Sequence, residues 1–215
     1  RQRPWITVKI ASSLDGKIAL ANGKSQWITG EAARTDVHRL RARSCAILTG
    51  INTVKQDDPE LSVRYIQTTR QPFRVILDNR LEIATNAKVL QKPGSLIFTT
   101  LQDNQKIDSL SEKGAQVIVL PSPTGKLNLV EVMSTLAELE INELFVEAGS
   151  TLNGALIESR LVDEIIIYCA PIVLGNHAQS MLNLPELASL SQKWQLEIKE
   201  IGKVGSDIKI TAKLI

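Results

Sequence analysis

The residues best suited to chemistry gather first at Phe145–Ile157. An apolar run, Glu143 to Glu147, ends in the small-residue turn Ala148-Gly149-Ser150-Thr151, and a short helical pattern follows. A helix N-terminus carries about half a positive charge and unpaired N–H groups. A glycine ahead of it lets a phosphate approach the backbone. Glu147, at the last position of the run, would look into the same crevice. The pattern suits a nucleotide pocket with one carboxylate at its edge. Gly149 and Gly154 do not complete the G-x-G-x-x-G fingerprint, so an ordinary strand-to-helix turn fits this stretch equally well.

Other side chains need a partner before they mean anything. Arg34, His38 and Arg41 fall at i, i+4 and i+7 of a predicted helix over Glu31–Arg43. The ordinary reading is a solvated basic face, with the late arginine complementing the helix C-terminus and Val37 and Leu40 marking the buried stripe. Lys9 alternates with Val8 and Ile10, so it either reaches a crevice or carries its ammonium out to water. Trp27 lies in the polar loop Ala21–Thr29. His38 and His177 have no metal-ligand spacing, and no metal is expected. Cys45 and Cys169 sit inside apolar runs and read as buried free thiols, which fits a reducing, cytoplasmic setting.

The elements that must hold these residues alternate in period. Trp5–Ala11, Ser44–Thr49, Phe73–Asp78, Ser95–Thr99, Gln116–Leu120, Glu143–Glu147 and Glu164–Ala170 are apolar, strand-like runs. Between them lie helical patterns: Glu31–Arg43, a short turn Ile51–Gln56, about 103–113, Leu129–Leu139, and about 151–159. Leu129, Val132, Met133, Leu136 and Leu139 make an amphipathic stripe. Gln195–Val204 and Asp207–Leu214, joined by Gly205-Ser206, read as a terminal hairpin on a type II′ turn. Such alternation predicts an α/β fold, with a mostly parallel central sheet, helices on both faces and antiparallel strands at the C-terminal edge.

The bulk numbers narrow the function classes. A chain of 215 residues buries roughly 70% of its unfolded surface, so residues 1–215 are expected to form a single domain. With 25 basic and 23 acidic residues, the net charge of +2 leaves no footprint for nucleic acid. No apolar run reaches a membrane span, and no signal peptide is visible. The chain starts at Arg1 without a methionine and reads as a processed or excised piece.

Three groups of motifs then converge. The first is Ser13-Leu-Asp-Gly-Lys17, Ser25-Gln-Trp-Ile-Thr29 and Arg39-Leu-Arg41. The second is Gly50-x-x-Thr53-Val54-x-x-Asp57-Asp58-Pro59-x-Leu61-x-x-Arg64. The third is Val146-Glu-Ala-Gly-Ser-Thr-Leu152, Leu161-Val-Asp-Glu164 and Ala170-Pro-x-x-Leu-Gly175. In this order, and over nearly the whole chain, they resemble the reductase domain of the bifunctional riboflavin-biosynthesis deaminase/reductase.

That resemblance implies a dihydrofolate-reductase-like fold and an NADPH-dependent reduction of 5-amino-6-(5-phosphoribosylamino)uracil, the sugar carbon C1′ taking the hydride. It implies a cofactor site at Ala11, Trp27, Thr53, Asp57, Asn79 and the run Gly149, Ser150, Thr151, Leu152, Asn153, Gly154, Ala155. A substrate site would hold Ser25, Arg41, Leu61, Arg64 and Glu147. Asp57, Lys9 and Glu147 are the catalytic candidates. The two arginines suit the substrate phosphate, because a planar guanidinium fork grips phosphate better than an ammonium. Asp57 suits proton delivery, and Asp58 beside it suits holding the turn. Arg80, just past a strand end, suits the cofactor 2′-phosphate. The resemblance also implies a homodimer and, in a longer parent chain, fusion to a deaminase; nothing like the zinc-binding His/Cys set of that half is present. Alternative readings are a reductase of the same fold acting on another pterin or heterocycle, or a nucleotide-binding module without turnover.

Overall fold

A computed structural model describes residues 2–215. In chain order its elements are β1 (Trp5–Ser13), β2 (Lys17–Ala19), α1 (Glu31–Arg43), β3 (Ala46–Gly50), α2 (Ile51–Asp57), β4 (Phe73–Leu77), β5 (Ser95–Thr99), α3 (Asn104–Ser111) and β6 (Ala115–Val119). There follow α4 (Leu129–Glu138), β7 (Glu143–Glu147), α5 (Ser150–Glu158), β8 (Glu164–Ala170), β9 (Gln179–Ser180), β10 (Leu196–Val204) and β11 (Asp207–Leu214). Short 3-10 turns lie at Lys88–Leu90 and Leu190–Gln192. The chain divides into two compact units. One holds the residues up to Trp5 and Leu40–Phe145; the other holds Ile6–Arg39 and Val146–Ile215.

The first unit is a parallel arrangement in the order β3-β4-β5-β6. Every residue of β5 is buried, as are Ala46–Thr49 of β3. Strands covered on both faces need apolar residues at successive positions rather than alternate ones, which is why these runs carry no period of two. Helix α4 lays Val132, Met133 and Leu136 into the core, all fully buried. Its first turn is closed by Asn128, whose side-chain oxygen accepts from the Val130 amide at 3.0 Å. Helix α3 starts in the same way on Asp103, which accepts from the Lys106 amide at 3.0 Å.

The second unit runs in the order β10-β11-β8-β1. Strands β1 and β8 are parallel, while β8 with β11 and β10 with β11 are antiparallel. The terminal hairpin therefore forms as its alternation predicted, with Gly205 at φ +64 in the turn. β1 alternates up to Ser12, burying Ile6, Val8 and Ile10 and turning Thr7, Lys9 and Ala11 to the half-open face, and then buries both Ser12 and Ser13. It continues two residues beyond the predicted end, to Ser13. Among the described residues, no helix is long and apolar enough to cross a membrane.

One expectation fails here. His38 does not share a solvated basic face with Arg34 and Arg41; it is 3% exposed and is buried along with Ala33 and Val37. Leu40, expected in that stripe, is only half-buried. A short helix against a sheet buries more than one clean row, and histidine is intermediate among residue types in how often it is buried.

Candidate active site

In the first unit, α2 carries Thr53 and ends on Asp57. Asp58 then adopts left-handed backbone, φ +40, and stops the helix. Its carboxylate accepts the Lys88 amide at 2.9 Å and pairs with the Lys88 ammonium at 3.4 Å, so Asp58 holds the turn as expected. Asp57 is exposed by surface area, yet neighbouring atoms displace enough water from its carboxyl to raise its pKa above the ordinary value. That favours a carboxyl that keeps a proton longer than a free aspartate does.

Beyond Pro59 the chain builds a knot around Glu60–Arg64. Leu61 is buried, in left-handed backbone at φ +48. Arg41, from the last turn of α1, donates through Nη1 to the Ser62 carbonyl at 2.9 Å. Arg64 pairs with Glu60 at 3.3 Å, and Glu60 accepts from the Ser62 hydroxyl at 3.0 Å. The structure thus brings Arg41, Leu61 and Arg64 together, although Arg41 and Arg64 lie on different elements. Ser62 and Glu60, which spacing did not single out, are what hold them.

The turn after β4 is similarly tied. The Asn79 side-chain oxygen accepts the Leu127 amide at 2.9 Å, and its carbonyl accepts the Thr99 and Thr100 hydroxyls at 3.1 and 2.9 Å. Asn79 is therefore a tie between segments 48 positions apart, a role its place past a strand end did not show. Arg80 is exposed and pairs with Glu82 at 2.9 Å. Glu82 also receives Lys55 of α2 at 2.6 Å, which fastens the Asn79–Arg80 turn to the helix bearing Thr53 and Asp57. Beneath it lies Asp78, fully buried; one carboxylate oxygen accepts the Ile83 amide at 2.8 Å and the other has no hydrogen-bond partner.

In the second unit, Lys9 and Ala11 share the half-open face of β1. Ala11 is paired in register with Tyr168 on β8. The Tyr168 hydroxyl donates to Asp36 of α1 at 2.7 Å, and the Lys209 ammonium meets the same oxygen at 2.7 Å. Burial, the Asp36 bond and the nearby Glu147 carboxylate push the Tyr168 phenol far above its usual range. This partly buried network braces α1 against β8 and β11. It was not legible in the sequence, since Asp36 and Tyr168 are 132 positions apart.

Glu147 ends β7 half-buried, and α5 begins at Ser150 with Gly149 as its N-cap. No side chain closes that N-cap. The first-turn N–H groups are left for solvent or a ligand. A Cβ placed on Gly149 would meet nothing within 4 Å, whereas one on Gly154 would lie 2.0 Å from the Asn183 carbonyl oxygen. Gly149 is open to an approaching group, and Gly154 is there because a loop packs against the helix. Asn153 is 1% exposed; its amide donates to the Ala148 carbonyl at 3.2 Å and its own oxygen is left without a partner.

The polar loop before α1 carries Ser25, half-buried, and Trp27, 69% exposed. Arg34, expected on a solvated face, instead lies over the Trp27 ring, 4.8 Å from its centroid. Asp207, 1% exposed at the start of β11, accepts the Gly30 amide at 2.7 Å and so pins the end of this loop. Asp15 binds the Ser13 hydroxyl at 2.5 Å and the Gly175 amide at 2.8 Å. Those bonds hold its pKa down to about 2, and they fasten two of the sequence motifs to each other. Among the described residues no group of His, Cys, Asp and Glu is arranged to hold a metal ion.

Residues 4–210 match the family model described as the RibD C-terminal domain. The riboflavin biosynthesis protein RibD of Escherichia coli (strain K12) is 40% identical over 95% of this chain, which spans 58% of that relative's length. The 5-amino-6-(5-phosphoribosylamino)uracil reductase of Buchnera aphidicola subsp. Acyrthosiphon pisum is 33% identical, over 89% of this chain and 97% of the relative. Among solved structures, Acinetobacter baumannii RibD superposes with a TM-score of 0.89 at 33% identity, covering all of this chain and 59% of that one. The α/β class, mostly parallel with a C-terminal antiparallel hairpin, is the dihydrofolate-reductase-like fold of these reductase domains. A match that runs from residue 4 to residue 210, through both units and all three motif groups, means that this chain belongs to the RibD C-terminal domain family.

Proposed function

We propose that the chain is an oxidoreductase that uses NADPH to reduce 5-amino-6-(5-phosphoribosylamino)uracil to 5-amino-6-(5-phosphoribitylamino)uracil. The observation that carries this is the reductase relative, 97% of whose length this chain covers. The chain's own residues support it. The open N-terminus of α5 at Gly149 suits a pyrophosphate. Ser150–Asn153 and Ala155 would line the same segment, with Gly154 serving its packing. Thr53, Asn79, Ala11 and Trp27 complete the proposed cofactor contacts. Arg80 is the group that would favour NADPH over NADH, exchanging Glu82 for the 2′-phosphate.

On the substrate side, Arg41 and Arg64 carry their guanidinium groups to one loop and suit a sugar phosphate there. Ser25, Leu61 and Glu147 complete that site, with the Glu147 carboxylate able to accept hydrogen bonds from the pyrimidine. The dihydronicotinamide supplies the hydride. Opening the sugar at C1′ also needs one proton at O4′, and Asp57, with its raised pKa, is the group we assign to deliver it, directly or through water. Lys9 supplies a positive charge on the face of β1 that carries Ala11.

The same reading makes the chain a homodimer, in the cytoplasm, joined to a deaminase domain in a longer parent. Exposed Leu196, Ile198 and Ile201 on β10 support the first. The free thiols Cys45 and Cys169 support the second. Relatives of which the chain spans 58% support the third. The primary test mixes purified protein with NADPH and enzymatically prepared substrate. Loss of the dihydronicotinamide absorbance is expected; its persistence would refute the reading. Light scattering on a sizing column checks the dimer, and a monomer mass would exclude it.

A further inference from the structure

Trp27 stands out in the second unit because it exposes 69% of its surface while one face of its ring is occupied. The Arg34 guanidinium lies 4.8 Å from the ring centroid, within cation–π range. The same group is anchored, its Nη1 donating to the Thr29 carbonyl at 2.8 Å. Thr29 is buried, and the next residue, Gly30, is held by the buried carboxylate of Asp207 at 2.7 Å. A chain of contacts therefore runs from the base of the hairpin through Gly30, Thr29 and Arg34 to the indole. An exposed tryptophan in a polar loop would otherwise exchange among its rotamers. Here the guanidinium lies over the ring while most of the indole surface stays exposed, an apolar platform open to a ligand.

We infer that Arg34 is a positioning residue: by stacking on Trp27 it fixes the indole so that its exposed surface receives a planar heteroaromatic ring, the nicotinamide end of the cofactor. This deepens the proposed function and rests on its assignment of Trp27 to the cofactor. Lysine cannot replace arginine fully, because an ammonium neither stacks nor holds the Thr29 carbonyl while lying flat on the ring.

The test uses a Trp5→Phe, Trp194→Phe background in which Trp27 is the remaining tryptophan. NADPH is titrated in and energy transfer from the indole to the bound dihydronicotinamide is followed. Arg34→Ala should raise the NADPH dissociation constant about two- to fivefold, the size of an exposed cation–π contact. It should also lower transfer efficiency at saturation, with Arg34→Lys falling between. Fluorescence anisotropy without cofactor should show a freer indole in Arg34→Ala. Unchanged affinity, transfer and anisotropy in that variant would overturn the role of Arg34 while leaving the NADPH reading intact. Failure of the unsubstituted protein to bind NADPH by calorimetry would instead overturn the reading beneath it, and the inference with it. A loss of melting temperature alone, with transfer at saturation unchanged, would make Arg34 merely structural and also overturn the inference.

Discussion

Gly154→Ala and Gly149→Ala form a pair that separates packing from ligand approach within one stretch of sequence. At Gly154 a Cβ would lie 2.0 Å from the Asn183 carbonyl oxygen and 2.8 Å from its carbon. Ordinary contact begins at 3.4 Å, so the gap must open by 3.4 − 2.0 = 1.4 Å. The obstacle is backbone, and it is fastened: the Asn183 amide donates to the Ser150 carbonyl at 3.1 Å and the Met181 amide to that of Gly16 at 3.0 Å. Overpacking of this kind costs about 3 kcal/mol, the top of its usual range. Alanine returns about 1 kcal/mol of helix propensity. The net loss is about 2 kcal/mol, or roughly 4–8 °C in melting temperature for a chain of this size. Gly149 has open space and φ −79, which alanine adopts freely. Its substitution should cost only about 0.5 kcal/mol as a weaker N-cap, yet raise the KM for NADPH. Urea denaturation and steady-state kinetics on both variants decide it. Gly154→Ala as stable as the parent, or Gly149→Ala equally destabilised, would refute the division of roles.

Asp57→Asn should affect stability and turnover in opposite directions. Because burial raises its pKa, the folded chain prefers the protonated form. That contribution is complete below the ordinary carboxylate pKa, about 3.9, and is lost as pH rises through the raised value. The fixed-neutral asparagine should therefore gain melting temperature over the parent near neutrality but not near pH ~4, while its kcat falls; equal gains at both pH values would remove desolvation as the cause. Tyr168→Phe deletes one of the bonds to Asp36 and should cost about 1.5 kcal/mol. A urea midpoint unchanged from the parent would show that Lys209 alone holds α1 there. Arg80→Ala should reduce the ratio of kcat/KM for NADPH over NADH; an unchanged ratio would dismiss Arg80 as the 2′-phosphate ligand.

Much of the architecture is local and therefore legible. The stripe of α4, the doubly buried runs of β3 and β5, and Gly205 in the hairpin turn follow from period and turn chemistry within about ten residues of chain. The helical pattern and the observed α1 share the bounds Glu31–Arg43, and α5 begins one residue before its pattern does. His38 is buried against the expectation from spacing, because helical spacing gives the angle of a side chain around the axis but not the width of the face that is covered.

The candidate site divides in the same way. Motif order by itself determined the family and named Glu147, Gly149, Asp57 and Arg64, since residue type and spacing survive without coordinates. Tertiary structure decided what each neighbour is for. Gly149 and Gly154 are the same residue in one helical stretch, yet one faces open space and the other a carbonyl from position 183. Arg34 and Arg41 lie on one helix, yet one stacks on Trp27 and the other binds the Ser62 carbonyl. Asp36, Tyr168 and Lys209 look unrelated in sequence and share one carboxylate oxygen in the fold. The physical reason is range. Dihedral preference and periodicity act between near neighbours, whereas a hydrogen bond or a steric contact depends on distance in space, and folding alone brings positions 36, 168 and 209 within 3 Å of a common atom.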